Sequence, residues 1–481
     1  MTLNLAQTLS WTKSLAALNP DAAAELAMLN DLQGNILKGH GRNFTSNLFV
    51  AFDPNKQTAA KAFVASLAPD VTTALDQLTK PQVFKVSGVS GGTFIAAMLS
   101  SSGYDALGQT TAKPEGDAFR AGMKARKLED PEPAMWDECF SQTVDAMLLI
   151  AADSADMRDR ERDAMVARIT ATDDAVRLLN PRFKEDGNAL FNDDGIGIEH
   201  FGYVDGRSQP LPLTEDVDEE KNKRGGISAW DPSIPLSQVL VKCPGGNLEV
   251  SHGSFFVFRK LEQNVKAFKE REKEISENLA KHHDKDPEAI DIGANVVGRF
   301  ENGTPIVGQT APSASSMPVP GTGVSNNFNY AADPDGLECP FAGHIRKTNP
   351  RTDTPDSKTH LMARRGIPYG VRTDKPNSEE SDDKPTGNVG LLFMAYQSSL
   401  ENQFEFTQQK WVNNAGFRRP DTGIDPLIGQ PKGPSKQKWV VEYGKVLSDG
   451  RPEDEFSGFV TMQGGEYFFA PSISFFKSLL R

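Results

Sequence analysis

Apolar positions fall into short runs set between long polar stretches, and their spacing changes from run to run. Asn47-Leu-Phe-Val-Ala-Phe52, Gly92-Thr-Phe-Ile-Ala-Ala-Met-Leu99 and Thr143-Val-Asp-Ala-Met-Leu-Leu-Ile-Ala151 have strand length and β-prone content, so each predicts a strand. Between the first two, residues 56–79 place Ala60, Phe63, Val64 and Leu67 at helical spacing. Residues 155–172 read as a charged amphipathic helix. The second half repeats this order. Gly253-Ser-Phe-Phe-Val-Phe-Arg259 predicts a strand and residues 261–284 a long Lys/Glu-rich helix. Asn388-Val-Gly-Leu-Leu-Phe-Met-Ala-Tyr396 predicts a strand leading into a helix with Phe404, Phe406 and Trp411, and Gly465-Glu-Tyr-Phe-Phe-Ala470 a late strand. Residues 5–29 read as one or two short amphipathic helices, with Asn19-Pro20-Asp21 as turn and N-cap.

Strand, helix, strand occurring twice predicts a duplicated α+β unit, each half an antiparallel sheet with helices on one face. The expected organisation is a helical extension over 1–29, a first half over 30–220 and a second over 221–481. Residues 209–240, rich in Pro and acids, read as a surface connection. Residues 301–338 and 371–387 read as loops, the second a solvated excursion. Loops this long are uncommon in compact domains unless they shape a site.

Composition narrows the function classes. The 481 residues are ample for two packed halves. A net charge of −13 argues against a nucleic-acid partner, which needs a basic face. Cys139, Cys243 and Cys339 are odd in number and without CxxC spacing, which disfavours a disulfide framework or a zinc site. With no basic leader and no run of about 18 apolar residues, no signal peptide or membrane span is expected. The expectation is a soluble cytoplasmic protein, monomer or homodimer.

Chemistry concentrates in a few segments. Phe201-Gly-Tyr-Val-Asp-Gly-Arg-Ser-Gln-Pro210 holds Asp205 between glycines and beside aromatics, which suits proton transfer in a confined pocket; Asp-Gly is also a common turn. Of seven histidines, His282 and His283 sit in a charged run and read as a solvated helix end. His40 and His200 lie in glycine-rich loops and are structural or line a pocket, His252 precedes a strand, and His360 reads as an ordinary polar residue. His344 differs: Cys339-Pro-Phe-Ala-Gly precedes it, and Arg346, Lys347 and Arg351 follow. An imidazole with an apolar approach and nearby cations suits an iron ligand beside haem propionates, or a satisfied core histidine. Arg364-Arg365, in Met362-Ala-Arg-Arg-Gly-Ile-Pro-Tyr-Gly370, marks an anion or a surface pair.

Together these segments resemble the dye-decolorizing peroxidase family. Asp31-Leu-Gln-Gly-Asn-Ile-Leu37, Leu391-Leu-Phe-Met-Ala-Tyr-Gln-Ser-Ser399 and Gly464-Gly-Glu-Tyr-Phe-Phe-Ala-Pro-Ser472 extend the resemblance in order from about residue 30 to the C-terminus. It is closer to the larger members than to the compact ones. The resemblance implies two ferredoxin-like halves with haem b in the second, and a peroxidase using hydrogen peroxide and organic electron donors such as dyes and phenolics. It implies His344 as proximal iron ligand, Asp205 as distal acid–base residue and Arg364 as distal arginine, with Arg365 as the fallback. Arg346, Arg364, Leu391 and Phe393 would contact the cofactor. Many relatives carry Asn or Ser where this chain has Gly366. The carboxylate behind His344 is sought among Glu401, Glu405 and Asp421. Tyr369 and Trp411 are candidate electron relays, or core packing. The competing readings are a haem carrier without turnover, iron release from haem, and a haem-free binding protein.

Overall fold

In a computed structural model the protein is described over residues 3–87, 91–223, 225–246, 249–313, 325–377, 383–448 and 450–480, with 83–87 as backbone only. The first half contains α1 (Trp11–Leu15), α2 (Ala22–Asp31), β1 (Phe44–Phe52), α3 (Gln57–Ser66), α4 (Ala74–Ser87), β2 (Phe94–Ser100), β3 (Ala146–Ala152), α5 (Ala155–Thr170) and β4 (Asp186–Asn188). The second contains β5 (His252–Gln263), α6 (Val265–His283), α7 (His344–Thr348), β6 (Ile367–Tyr369), β7 (Gly390–Gln397), α8, β8 (Val460–Ala470) and α9 (Ile473–Ser478). In α8, two wide turns with π-type winding, Leu400–Glu405 and Thr407–Val412, run on from each other.

Each predicted strand is present. The single helix expected over 56–79 is two, because Pro69 interrupts it and Thr73 Oγ1 then accepts the Asp76 N–H to start α4. The acid-rich part of the 209–240 connection is also not a plain loop. Thr214–Asn222 is a helix with Glu215 and Asp216 in its first turn, where carboxylates meet the positive helix end, and with Val217 buried. Glu215 accepts hydrogen bonds from Ser10 and Thr12, so the N-terminal segment straps this connection down. Of the two long loops expected further on, 314–324 and 378–382 lie outside the described residues. Among the described residues no helix is long and apolar enough to cross a membrane.

The two halves form one sheet that closes on itself. Antiparallel pairing runs β1–β3–β2–β8–β5–β7–β6–β4 and back to β1. Two of the joints between halves are short: Tyr369 opposite Gly187, and Phe468–Phe469 opposite Leu99–Ser100. Phe49 of β1 meets Phe258 of β5 at 4.9 Å between ring centroids, although these strands are not neighbours. That contact crosses the barrel, so Phe49, Phe258 and nearby Phe468 fill its interior. Each such side chain, fully buried, contributes roughly 1.5–3 kcal/mol.

Side chains alternate along a strand, which gives β5 and β7 two faces. Leu392 and Met394 are fully enclosed, whereas Leu391 and Phe393 are only half-buried. Leu391 pairs with Leu261 and Phe393 with Arg259, so these four share the face turned away from Phe258. That outer face of the second half is one wall of the main cavity.

Candidate active site

The cavity has a volume of about 590 Å³. His344, Asp205, Arg364, Leu391 and Phe393 all line it, from four separate chain segments. β7 supplies Leu391 and Phe393 as an apolar wall, and Phe404 of α8 packs beside Phe393 at 6.1 Å.

On one side stands His344, the first residue of α7. Its Nδ1 bonds Asp425 Oδ2 at 2.9 Å, which leaves Nε2 as the open nitrogen. The Asp425 side chain is fully enclosed, and its Oδ1 accepts the Leu427 and Ile428 N–H groups at 2.8 and 3.0 Å. Burial disfavours charge on both groups, but their mutual attraction and hydrogen bond outweigh it: the imidazole pKa is raised and the carboxyl pKa lowered. Asp425 therefore replaces the acids expected behind His344. Glu401 instead accepts the Ala118 N–H, Glu405 is engaged by Arg126 and the Tyr467 hydroxyl, and Asp421 is exposed. The signal in the chain was Ile424-Asp-Pro-Leu-Ile428, an acid alone in an apolar run.

Arg346 is a second correction. Its guanidinium is wholly enclosed and bonds Asp333, Asp353 and Cys339 O, sandwiched between the Tyr330 and Phe341 rings at 4.4 and 4.3 Å. It does not line the cavity. Residues two apart on a helix point to different sides, so an Arg346 beside His344 in sequence faces away from it. Arg351, expected beside His344 from the sequence, does line the cavity, and Arg207 and Arg299 join it there. Arg299 and Arg351 converge on Asn326 Oδ1 and Ser208 Oγ and donate otherwise to backbone carbonyls. Burial pushes Arg299 down to about 10 and Arg351 to about 9. Buried guanidiniums bonded only to neutral groups favour an anion in the cavity.

The turn with Asp205 lines the same cavity. Gly202 and Gly206 have φ of +100° and +74°, values that side chains rarely allow. The Gly206 N–H donates to Asp205 Oδ1 at 2.6 Å, and the rest of this carboxylate is exposed to the cavity. Arg364 donates from Nη2 to Arg207 O at 2.6 Å, and its N–H donates to Gln209 Oε1, so it is tied to the same segment as Asp205. Burial lowers the Arg364 pKa, and the Asp205 charge opposes that. Arg365 also lines the cavity, but its guanidinium donates to the carbonyls of Asn35, Ile36 and Arg364, so the early Asp31–Leu37 motif serves as its socket. Gly366 also lines the cavity, and a Cβ there would come 3.3 Å from Leu392 O.

Of the remaining candidates, His40 is partly exposed and lines the cavity while His200 is buried, and desolvation holds both neutral, at about 3 and 4. His360 also lines the cavity, stacked on Phe406 at 3.7 Å and edge-on to Trp411 at 5.1 Å. Tyr369 is buried behind the wall, its hydroxyl without a partner and Lys260 Nζ 5.1 Å from its ring centre. A tyrosine with no proton acceptor and a cation over its ring is poorly placed to give up an electron. Trp411 is buried in edge-on contact with His360.

The donor set fits haem: one imidazole with a free nitrogen, a flat apolar wall, and buried cations for two carboxylates. Comparison with known proteins points the same way. Residues 231–419 match the family model described as Dyp-type peroxidase, C-terminal. The chain is 42% identical over 497 residues to the multifunctional dye peroxidase DyP2 of an Amycolatopsis species, covering 100% of both chains. Peroxidase 2 of Mycetinis scorodonius is 31% identical over 95% of this chain and 89% of its own. The solved structure of the Amycolatopsis DyP2 matches with a TM-score of 0.88 at 41% identity, over 99% and 100% of the two chains. That of an Anabaena DyP-type peroxidase matches with a TM-score of 0.85 at 37% identity, over 98% and 97%. A deferrochelatase of Yersinia pestis is 40% identical, but over 17% of each chain.

Proposed function

This chain belongs to the dye-decolorizing peroxidase family, and within that family's haem-dependent peroxidase activity we propose that His344 binds the iron, Asp205 moves the proton and Arg364 steadies the developing charge. The substrates are hydrogen peroxide and organic electron donors. The observation that carries the reading is one cavity that gathers a carboxylate-backed imidazole, an exposed acid and an arginine.

The cofactor is proposed to be haem b, since no Cys-x-x-Cys-His attachment segment occurs in the sequence. His344 would hold it through Nε2, Leu391 and Phe393 would pack on it, and Arg207, Arg299 and Arg351 would meet its carboxylates. When bound, haem supplies the iron that exchanges electrons with peroxide and with the donor. Asp425 holds the His344 tautomer with Nε2 unprotonated and makes that nitrogen a stronger donor. Asp205 accepts a proton from hydrogen peroxide and returns it to the other oxygen as water leaves. Arg364 offers its N–H groups to the oxygen that gains negative charge.

The haem-loaded protein should oxidise a phenolic donor when peroxide is added, with a change of the haem absorption band that precedes turnover. Stoichiometric haem with an absorption band indifferent to peroxide would replace this reading by a carrier.

A further inference from the structure

Six residues before Asp205 lies a carboxylate that the proposed chemistry does not use. Glu199 Oε2 accepts the Phe201 N–H at 2.8 Å and Gln263 Nε2 at 2.6 Å, while Oε1 accepts the Tyr203 N–H at 3.0 Å. Its backbone closes the same turn: the Glu199 N–H donates to Tyr203 O at 3.1 Å, and the Gly202 N–H donates to Glu199 O at 3.0 Å. Gln263 is the last residue of β5, and its own N–H donates to Val389 O at 2.8 Å. One side chain thus gathers the turn that carries Asp205 and fastens it to the barrel strand that forms the cavity wall.

We infer that Glu199 is a positioning residue for proton transfer, a proton-linked clamp that sets where the Asp205 carboxylate stands. The inference rests on Asp205 being the acid–base group. All three groups that reach the Glu199 carboxylate are N–H donors, so only the ionised form accepts them all. Gln263 supplies the other state. Its Oε1 is buried with no partner, and turning the amide over would present that oxygen to a protonated Glu199. Both protonation states can therefore be bonded, with the Gln263 amide inverted between them. A clamp with two bonded arrangements responds to pH.

The surroundings place this change near neutrality. Glu199 lines the cavity, and burial pushes its carboxyl up to about 7 against its three hydrogen bonds, with the Asp205 charge adding to the rise. From β5 it meets the neutral Gln263 amide. The adjoining His200 is neutral, its Nε2 against Tyr369 O at 2.8 Å, and Arg372 beyond it is paired with Asp374. The ionised clamp is complete above about pH 7 and loosens as pH falls below it.

The test uses haem-loaded wild type, Glu199→Gln and Asp205→Asn, mixed with hydrogen peroxide across the neutral range. The wild-type rate should step up through about pH 7. In E199Q the step should vanish and the rate above it should fall by roughly 10²-fold, the scale of a small misplacement, with haem loading unchanged. Infrared spectra of both haem-loaded and haem-free protein should show a carboxylic-acid band that grows as pH falls through about 7 and is missing from E199Q. A uniform slowing of E199Q that keeps the pH step, or an infrared band unchanged by the substitution, overturns the clamp. If D205N reacts as fast as wild type, the assignment of Asp205 fails and takes the role of Glu199 with it. That failure is read in D205N, separately from E199Q.

Discussion

The two sides of the cavity are built on opposite plans. On the His344 side polar atoms near the ligand are spoken for: Nδ1 by Asp425, and Asp425 Oδ1 by two backbone N–H groups. Below it Arg346 is locked in ion pairs with Asp333 and Asp353, and Lys347 Nζ donates to the carbonyls of Trp411 and Asn414 near the end of α8. On the Asp205 side the acid sits in a glycine turn with one local hydrogen bond and its remaining surface open. The difference matches the two tasks. A metal ligand gains from immobility and a set tautomer, whereas an acid–base group needs an unblocked oxygen and room for a substrate.

Substitutions that act on one side only would sharpen this contrast, and any that act on both would break it. His344→Ala should have the largest effect, loss of haem binding, read from the haem-to-protein absorbance ratio; full retention with unchanged axial ligation would remove His344 from the role. Next, Asp205→Asn should slow the peroxide reaction by about 10²–10⁴-fold while haem loading stays normal. Arg364→Leu should cost about 10²–10³-fold in the same reaction, again at normal loading. Arg365→Leu is the control: it should act on thermal stability, because its guanidinium braces Asn35 and Ile36, and equal kinetic losses from the two would exchange their roles. Asp425→Asn should weaken haem affinity or activity by roughly 10–100-fold and shift the haem reduction potential. An unshifted potential would mean that Asp425 only fills space.

Much of this was legible in the chain. The long strands announced themselves as apolar runs, and Asp205, His344 and Arg364 stood out by residue type and resemblance. Closure of the sheet was not legible, because β4 and β6 are three residues each and too short to carry a pattern. Asp425 escaped because it lies 81 residues beyond His344, brought back by tertiary structure alone. Arg346 is two residues from His344 in sequence, but the short helix turns it away from the cavity. Arg351 was legible beside His344, but Arg207 and Arg299 lie far from it in the chain, and only the fold gathers the three at one cavity.

The central claim, that one side holds and the other side reacts, is tested most directly by mixing haem-loaded Asp205→Asn with hydrogen peroxide in a stopped-flow spectrometer and following the haem band. The account predicts the wild-type resting spectrum and haem content, followed by a band change slower by about 10²-fold or more. A wild-type rate, or a variant that loses its haem, would contradict it.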